Sequence, residues 1–392
     1  MWRARPQVRT LLLSGPGGAG TSTLAAASAV RAAADGTRTL LLLRPGRRPA
    51  GLDDVPGLAV ASVSPLAAAE ALWTSAGDAL GAVPGLTPPP STSVVPLPGA
   101  AELALLARLA RAAADDEADT VVVDAGPLES GTALVALPGA LRWWLDQALP
   151  TRVRVLGAVR TAAVRSGAAP RGPVDAVLDA LPPLEAALAR LPLDDPASTQ
   201  VRLVAVPRAG AVPALRRAVT ALALHGQRPA AVLARVLPDG GPGQWWARRA
   251  AEQDDALAGF AELAPLRRVA ESATEPADAA ALAALLPAGD DDAPVAALTA
   301  AVDGGNGVRR LVLPLPFAER PGLDLTRWQD DLVVTVAGAR RSVRLDSLLR
   351  RCVVTGGTLA DAGTARARLE VSFTPDPQQW PAGLLAAEGS TA

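Results

Sequence analysis

The sequence contains no lysine at all, and it has one cysteine and one histidine among 392 residues. Without lysine, the chain cannot form a Schiff base, use a lysine general base or place a lysine in a phosphate-binding loop. Because Cys352 and His225 are alone of their kind, intramolecular disulfides, cysteine-based zinc clusters and multi-histidine metal sites are excluded. The net charge of −1 gives no global basic field of the kind that favours nucleic-acid binding.

Long uncharged apolar runs are also missing. The apolar run at 8–13 is too short for a signal peptide, and no stretch reaches the roughly 18 uncharged residues of a spanning helix. Apolar residues still make up 49% of the chain, which is enough for a sizeable core. The 35 glycines and 36 prolines follow no collagen-like period. We therefore expect a soluble cytoplasmic protein of two to three domains, not integral to the membrane.

The first part of the chain predicts strands that alternate with helices. Residues 11–13, 39–43 and 120–124 form continuous apolar runs, which are typical of parallel strands covered on both faces. Helices are expected at 21–34 and 102–114. Further helices are expected at 65–82 and 213–224 and further strands at 201–206 and 231–236, while 153–159 fits either a strand or a helix. This alternation predicts an α/β fold with a doubly wound, mostly parallel sheet.

The pattern changes near residue 287. Residues 287–294 have the composition of an acidic linker, and Asp-Gly-Gly-Asn-Gly at 303–307 predicts a turn. Short strands with period two follow at 311–315, 332–336, 343–345 and 369–373, which indicates a small antiparallel β-sandwich. We therefore predict an α/β domain over 1–288, a linker over 289–307, a sandwich over 308–374 and a flexible tail over 375–392.

A glycine-rich loop, G-P-G-G-A-G-T-S-T at 15–23, lies between the first strand and the first helix. The Walker A template G-x-x-x-x-G-K-[ST] curls backbone N–H groups around phosphate at this place. Gly15, Gly20 and Ser22 fit the template, but Thr21 stands at the lysine position. Losing a charge that faces the β- and γ-phosphates costs roughly two to three orders of magnitude in rate. A phosphate cradle without its cation and a ligand-free βα turn both remain open.

Several segments, in order and at matching spacing, resemble the ArsA family of P-loop ATPases. That family includes the arsenite-efflux ATPase subunit and the ATPase that targets tail-anchored membrane proteins. The loop follows the family's G-K-G-G-V-G-K-T except at Pro16 and Thr21, where both lysines are replaced. Residues 308–374 resemble the small heat-shock-like (alpha-crystallin-like) sandwich appended to many bacterial relatives. The other matching segments are L-P-G-A-A-E-L at 97–103, D-A-G-P at 124–127, A-L-P-G-A-L-R-W at 136–143, V-P at 206–207 and R-V-L-P at 235–238.

The resemblance implies a P-loop NTPase fold with ATP and Mg²⁺ as cofactors, but this sequence departs from the family pattern. The family's second strand ends in D-P-A-H-S, whose aspartate orients the attacking water, whereas here it runs into Arg44. Ala234 replaces an asparagine that is an adenine contact in the family, and the family's metal-binding cysteines have no counterpart. Asp124 persists and, with Ser22, is predicted to hold Mg²⁺; capping of the next loop is its alternative role. The predicted nucleotide-site residues are Gly15, Gly17, Gly18, Gly20, Thr21, Ser22, Thr23 and Asp124.

Charged residues elsewhere have simpler interpretations. Arg44, Arg47 and Arg48 follow the second strand and could replace the lost lysines by clamping phosphate, although a solvated loop is favoured. His225 follows a predicted helix and is interpreted as a cation at the C-terminal end of that helix rather than as a base.

Four tryptophans occur as two adjacent pairs on predicted helices. Trp143-Trp144 and Trp245-Trp246 could line a groove for a hydrophobic partner, although core or interface packing is favoured. Cys352 is expected to be a small core hydrophobe of the sandwich.

Three functions are compatible with these patterns. The first is a degenerate ArsA-like protein that hydrolyses ATP poorly or not at all and acts as a non-catalytic partner or regulator. It would form a homodimer, or a heterodimer with an active relative. The second is an active ATPase for ion or client transport that uses substitute residues. The third is a nucleotide-independent module that binds a hydrophobic polypeptide client. Family likeness by itself is an associational argument for all three.

Overall fold

The computed structural model describes residues 8–46, 48–81, 88–149, 151–168, 173–286, 295–305 and 308–378. A seven-stranded parallel sheet covered by helices comes first along the chain, and two antiparallel sheets follow. The predicted fold class is confirmed. The parallel strands are β1 (Arg9–Ser14), β2 (Thr39–Leu43), β3 (Leu58–Ser62), β4 (Thr120–Gly126), β5 (Thr199–Ala205), β6 (Pro229–Val236) and β7 (Leu266–Ala270).

The order of these strands across the sheet is β3-β2-β4-β1-β5-β6-β7. β1 therefore lies in the centre, between β4 on one side and β5 on the other. The chain leaves β1 for strands on one side first and reaches those on the other side later, so the winding direction reverses at β1. In doubly wound sheets a ligand binds at such a reversal, at the carboxyl ends of the strands. The glycine-rich loop lies at this point.

Helices cover both faces of the parallel sheet and create two apolar cores. The helices are α1 (Thr21–Ala34), α2 (Pro65–Gly81), α3 (Ala100–Ala114), α4 (Leu128–Ala148), α5 (Thr151–Arg165), α6 (Pro173–Ala189), α7 (Ala211–Leu224), α8 (Gln244–Ala261) and α9 (Ala279–Ala284). On one face α1 packs four fully buried alanines closely against the sheet, beside α9. The other face is covered chiefly by α3, α4 and α7. The segment that fitted either a strand or a helix is helical and forms α5, whereas β3 and β7 were not predicted.

The C-terminal part consists of a four-stranded and a three-stranded antiparallel sheet around a third apolar core. Cys352 is buried at the start of one strand, as predicted. The first sheet has the order β13-β14-β9-β8, with β8 (Ala301–Gly305), β9 (Val308–Pro314), β13 (Cys352–Ala360) and β14 (Arg368–Pro375). The second contains β10 (Asp324–Trp328), β11 (Asp331–Val336) and β12 (Ala339–Arg344).

The prediction of a turn at 303–307 is wrong for its first three residues. They belong to β8, in which Asp303 lies opposite Arg310 and Gly305 lies opposite Val308. Glycine is a poor strand former, so composition favoured a turn, but pairing with β9 outweighs that local preference. Residues 306–307, the acidic segment 287–294 and the tail from 379 onward lie outside the described residues. The domain boundaries therefore stay predictions.

The two parts of the chain exchange buried side chains where they meet. Leu224, the last residue of α7, belongs to the core of the sandwich, and Phe317 from the sandwich belongs to the core under the parallel sheet. The Thr220 hydroxyl donates to the Pro316 carbonyl at 2.7 Å. Arg341 Nη1 on β12 donates to the Leu224 carbonyl at 2.8 Å. We call these four contacts, together with His225, the domain junction.

Candidate functional site

The glycine-rich loop joins the carboxyl end of β1 to the start of α1. The Gly15 N–H donates to the Gly126 carbonyl at 3.2 Å, and the Ala19 N–H donates to the Pro16 carbonyl at 3.1 Å. Gly20 precedes α1 with φ +89°, a left-handed conformation that glycine adopts without strain. Gly17 and Gly18 are exposed at the tip of the loop. The loop therefore presents a helix N-terminus and an open tip at the carboxyl edge of the sheet, as a phosphate cradle requires.

Ser22, in the first turn of α1, forms a hydrogen bond with Asp124 near the end of β4. Ser22 Oγ donates to Asp124 Oδ2 at 2.6 Å, and the Gly126 N–H donates to Asp124 Oδ1 at 3.1 Å. Asp124 is buried at the end of β4, which places its carboxylate beside the first turn of α1. A hydroxyl and a carboxylate at this spacing are the protein ligands of Mg²⁺ in P-loop sites. These two side chains therefore fit a magnesium-bound phosphate.

Thr21 does not supply what a lysine would. Its hydroxyl oxygen lies over Gly15, 3.1 Å from the position that a Cβ on that glycine would take. The side chain is short and uncharged, so it neutralises no phosphate oxygen. The loop thus fits the backbone and magnesium parts of a nucleotide site, but it does not fit the cationic part.

Arg44 directly follows β2, at the place where the ArsA family has the aspartate of D-P-A-H-S. Its Nη1 donates to the Ala125 carbonyl at 3.4 Å and lies 3.6 Å from Glu102 Oε1. The interpretation of the arginines as a solvated loop is wrong for Arg44, because the side chain packs over Gly126 and is about three-quarters buried. For Arg48 the interpretation as a solvated loop residue is confirmed, since its side chain is half exposed and pairs with Asp53. Arg47 lies outside the described residues.

Arg235 is a residue of the site that sequence reasoning missed. It lies near the end of β6, and its Cδ and Nη1 atoms are each 3.1 Å from the position of a Cβ on Gly20. Its Nη2 donates to Glu271 Oε1, just beyond β7, at 2.9 Å. The available signal was an arginine that follows a buried strand, because the carboxyl ends of parallel strands share one edge. We call residues 15–23, Asp124, Arg44 and Arg235 the loop edge.

His225 has the predicted position but not the predicted charge. It caps the C-terminus of α7, but it is only 8% exposed because the sandwich covers this end of the helix. Burial, reinforced by the positive charge of Arg341, lowers the pKa of His225 to about 4. Its buried Nε2 has no hydrogen-bond partner among the described residues. The interpretation as a helix-end cation is therefore wrong, since the imidazole is neutral at pH 7. His225 and Arg341 line a cavity of about 270 Å³ between the two parts of the chain.

The two tryptophan pairs lie on α4 and α8 and are only partly packed. The ring centroids of Trp143 and Trp144 are 5.0 Å apart in an edge-to-face arrangement, and those of Trp245 and Trp246 are 5.8 Å apart. Trp144 and Trp245 are each about two-thirds exposed. The favoured interpretation as core packing is therefore wrong for these two rings in the described chain, although packing against another chain stays a prediction.

The residues that the structure describes contain no group of three or more histidine, cysteine or carboxylate side chains placed to hold a metal ion. Among the same residues, no helix has the length and apolarity to cross a bilayer.

Comparison with known proteins agrees with this geometry. A family model described as anion-transporting ATPase matches residues 88–263, and one described as an HSP20-like domain found in ArsA matches residues 306–373. An uncharacterized protein of Streptomyces coelicolor is 38% identical over 402 residues, covering 96% of this chain and all of the relative. A protein of Mycobacterium tuberculosis is 30% identical and covers 96% of this chain and 98% of its own length. The chain therefore belongs to the ArsA ATPase family and carries the HSP20-like domain found in ArsA.

Proposed function

We propose that this protein binds a magnesium–nucleotide complex at the glycine-rich loop but hydrolyses it slowly or not at all. In this role it acts as a non-catalytic partner or regulatory subunit, either as a homodimer or together with an active relative. The observation that carries the proposal is the hydrogen bond from Ser22 to Asp124 on a loop that lacks its lysine. The residues for holding magnesium are in contact, while the loop lysine is missing and Arg44 follows β2 where a group that orients water is needed.

Binding and turnover depend on different residues of this site. Backbone N–H groups at 17–22 would hold phosphate oxygens, while Ser22 and Asp124 would hold the metal ion. Bound magnesium would offset part of the phosphate charge. Turnover also needs a charge against the terminal phosphate and a group that orients water. At the end of β2 this chain offers the cation Arg44, which accepts no hydrogen bond from water.

Calorimetric titration of Mg-ATP and Mg-ADP into the nucleotide-free chain tests the binding half of the proposal. We expect micromolar binding of both, weakened about tenfold or more by Asp124→Asn and by Ser22→Ala, since each removes a magnesium contact. Thr355→Ala is the matched control, because that hydroxyl is exposed on β13, far along the chain from the loop. Absence of binding at millimolar ligand contradicts the proposal.

Release of phosphate from ATP tests the second half. We expect turnover at the level of the Asp124→Asn variant, which supplies the background. Turnover well above that background, abolished by Ser22→Ala, would instead favour an active ATPase with substitute residues that transports an ion or a client. Adding a candidate active relative distinguishes a silent chain from a regulator, because a regulator changes the rate of its partner.

The exposed tryptophans favour one further candidate, a module that binds a hydrophobic polypeptide. Trp144 on α4 projects into solvent, and Leu156 on the neighbouring α5 is also about two-thirds exposed. A client that binds equally well with and without nucleotide, and less well to Trp144→Ser, would support this function. Client binding that requires nucleotide would instead support nucleotide binding at the glycine loop.

A further inference from the structure

We propose that Arg235 supplies the positive charge for phosphate binding that the loop itself has lost. This inference rests on the nucleotide binding proposed above and names the residue that makes it possible in a chain without lysine. Arg235 reaches the loop from β6, two strands away from β1, rather than from within the loop.

The first argument is the approach of Arg235 to the loop backbone. Its Cδ and Nη1 lie 3.1 Å, and its Cζ 3.6 Å, from the position that a Cβ on Gly20 would occupy. Any larger residue at 20 would therefore meet the arginine. Gly20 directly precedes Thr21, so the guanidinium approaches the loop backbone one residue before the position of the missing lysine.

The second argument is the rigidity with which the arginine is held. β6 pairs with β5 on one side and β7 on the other, and Arg235 lies opposite Val269 in the register. After the strand, the Leu237 N–H donates to Gln253 Oε1 on α8 at 2.9 Å. Glu271 accepts from Nη2, which fixes one arm of the guanidinium. A positioned arginine binds phosphate through paired N–H groups at a smaller cost in side-chain entropy than a free one.

The alternative cation at this edge is less well placed. Arg44 packs over Gly126 and donates to the Ala125 carbonyl, on the far side of Asp124 from β1. Both arginines pair with a carboxylate and are equally buried, so the difference between them lies in which backbone each one approaches. The contacts described for Arg44 are with Ala125 and Gly126 of β4 and with Glu102 of α3, whereas Arg235 approaches the glycine loop itself. We therefore assign phosphate binding to Arg235.

The ligand chemistry follows from the groups that converge. The backbone N–H groups and Arg235 are all donors, whereas Ser22 and Asp124 present oxygen to a metal ion. A diphosphate or triphosphate that carries Mg²⁺ satisfies both sets at once. Ala234, directly before Arg235, offers no polar side chain to such a ligand.

Calorimetric titration of Mg-ADP into three variants tests the assignment. We expect Arg235→Ala to weaken binding about 10- to 100-fold, the usual worth of a charge-assisted hydrogen bond. Arg235→Gln, which keeps the Cδ atom that approaches Gly20, should lose about as much. Arg38→Ala is the matched control and should bind like the parent, because Arg38 pairs with Asp119 at the opposite edge of the sheet.

Restoring a lysine gives the sharper readout. If Arg235 takes the place of the loop lysine, Thr21→Lys should recover most of the affinity lost in Arg235→Ala. The same change should improve the parent much less, since one cation already serves the phosphates. A merely structural role of Arg235 would not produce this pattern.

The outcomes separate the two proposals. No binding of Mg-ADP by the parent chain overturns both. Parent-like binding by Arg235→Ala overturns this inference and leaves nucleotide binding intact. A loss in Arg38→Ala equal to that in Arg235→Ala, or failure of Thr21→Lys to rescue, also removes Arg235 from the lysine's role. Thermal unfolding of each variant verifies that the compared chains are folded.

Discussion

The loop edge and the domain junction of this protein depend on different physics. At the loop edge a glycine loop with an exposed tip leads into a helix N-terminus, while several side chains around it depart from the family pattern. At the junction, side chains are exchanged between two cores and one buried histidine is kept neutral. The first arrangement depends on charge and the second on packing. Changes of side chain should therefore alter binding at the loop edge and unfolding at the junction.

Removing the aromatic ring at the junction should have the largest effect on stability. Phe317 is buried in the core beneath the parallel sheet, with the Arg216 guanidinium 5.3 Å from its ring centre. We expect Phe317→Ala to lower the free energy of unfolding by about 3 to 5 kcal/mol, because a large cavity is left. Urea unfolding measures it. Trp328→Ala, at a half-exposed ring on β10, should change stability by less than about 1 kcal/mol.

A methyl group on Gly15, the first glycine of the loop, should cause a steric clash within the loop edge. A Cβ on Gly15 would overlap the Val204 carbonyl oxygen of β5, so we expect Gly15→Ala to cost about 1 to 3 kcal/mol of stability. The distorted loop should also bind Mg-ADP more weakly. Gly17→Ala is the control, because its Cβ meets open space. Equal stability of the two variants would mean that the loop relaxes freely.

Acid should weaken the domain junction through His225. Its pKa is about 4 in the folded chain against 6.5 for the free side chain, so the unfolded state binds the proton more readily between these values. The contribution of neutral His225 to the free energy of unfolding is complete above about pH 6.5 and is lost as the pH falls towards 4. Between pH 7 and pH 5 we expect a loss of about 2 kcal/mol.

His225→Gln isolates this contribution, because glutamine does not titrate. Urea unfolding at several pH values should give a flatter profile for the variant between pH 4 and pH 6.5 than for the parent. Arg341, Asp194 and the carbonyl end of α7 face the same cavity and are unchanged in both chains. Parallel profiles would contradict the neutral state of the histidine.

A single hydroxyl at the junction gives the smallest expected change. The Thr220 hydroxyl faces the Pro316 carbonyl at 2.7 Å and the Arg216 carbonyl at 3.0 Å. Thr220→Val keeps the shape but removes the donor, so we expect a loss of about 1 kcal/mol. Thr220→Ser retains the donor and should lose only what the missing methyl group contributes. Equal losses in both variants would assign the effect to packing.

Much of the parallel sheet could be predicted because its strands are continuous apolar runs. The helix at 21–34 and the strand at 39–43 have the same bounds in the structure as in the prediction. β3 and β7 were missed because neither is a continuous run of large apolar residues: β3 is rich in alanine and serine, and β7 carries Arg267 and Arg268 in its centre. β8 was taken for a turn because it contains two adjacent glycines. In each case pairing with a neighbouring strand outweighs a weak local preference.

The loop edge was predictable only in part, for a related reason. The contact of Ser22 with Asp124 follows from two motifs whose roles are coupled across adjacent strands. The approach of Arg235 to Gly20 joins residues more than two hundred positions apart, and only the strand order brings them together. The burial of His225 depends on a sandwich that begins about eighty residues later in the chain, so its local sequence indicated a charged helix end.

The exchange of Leu224 and Phe317 has a consequence for the inheritance of this protein. Although the sandwich resembles a module that evolution could attach or remove, each core here is completed by a side chain from the other gene segment. A chimera assembled from two relatives should fold well only if the residues at 224 and 317 each fit the core that the other relative supplies. Recombination that separates them would leave a hole in one core and an apolar residue in solvent. The two segments should therefore pass between genomes as one unit.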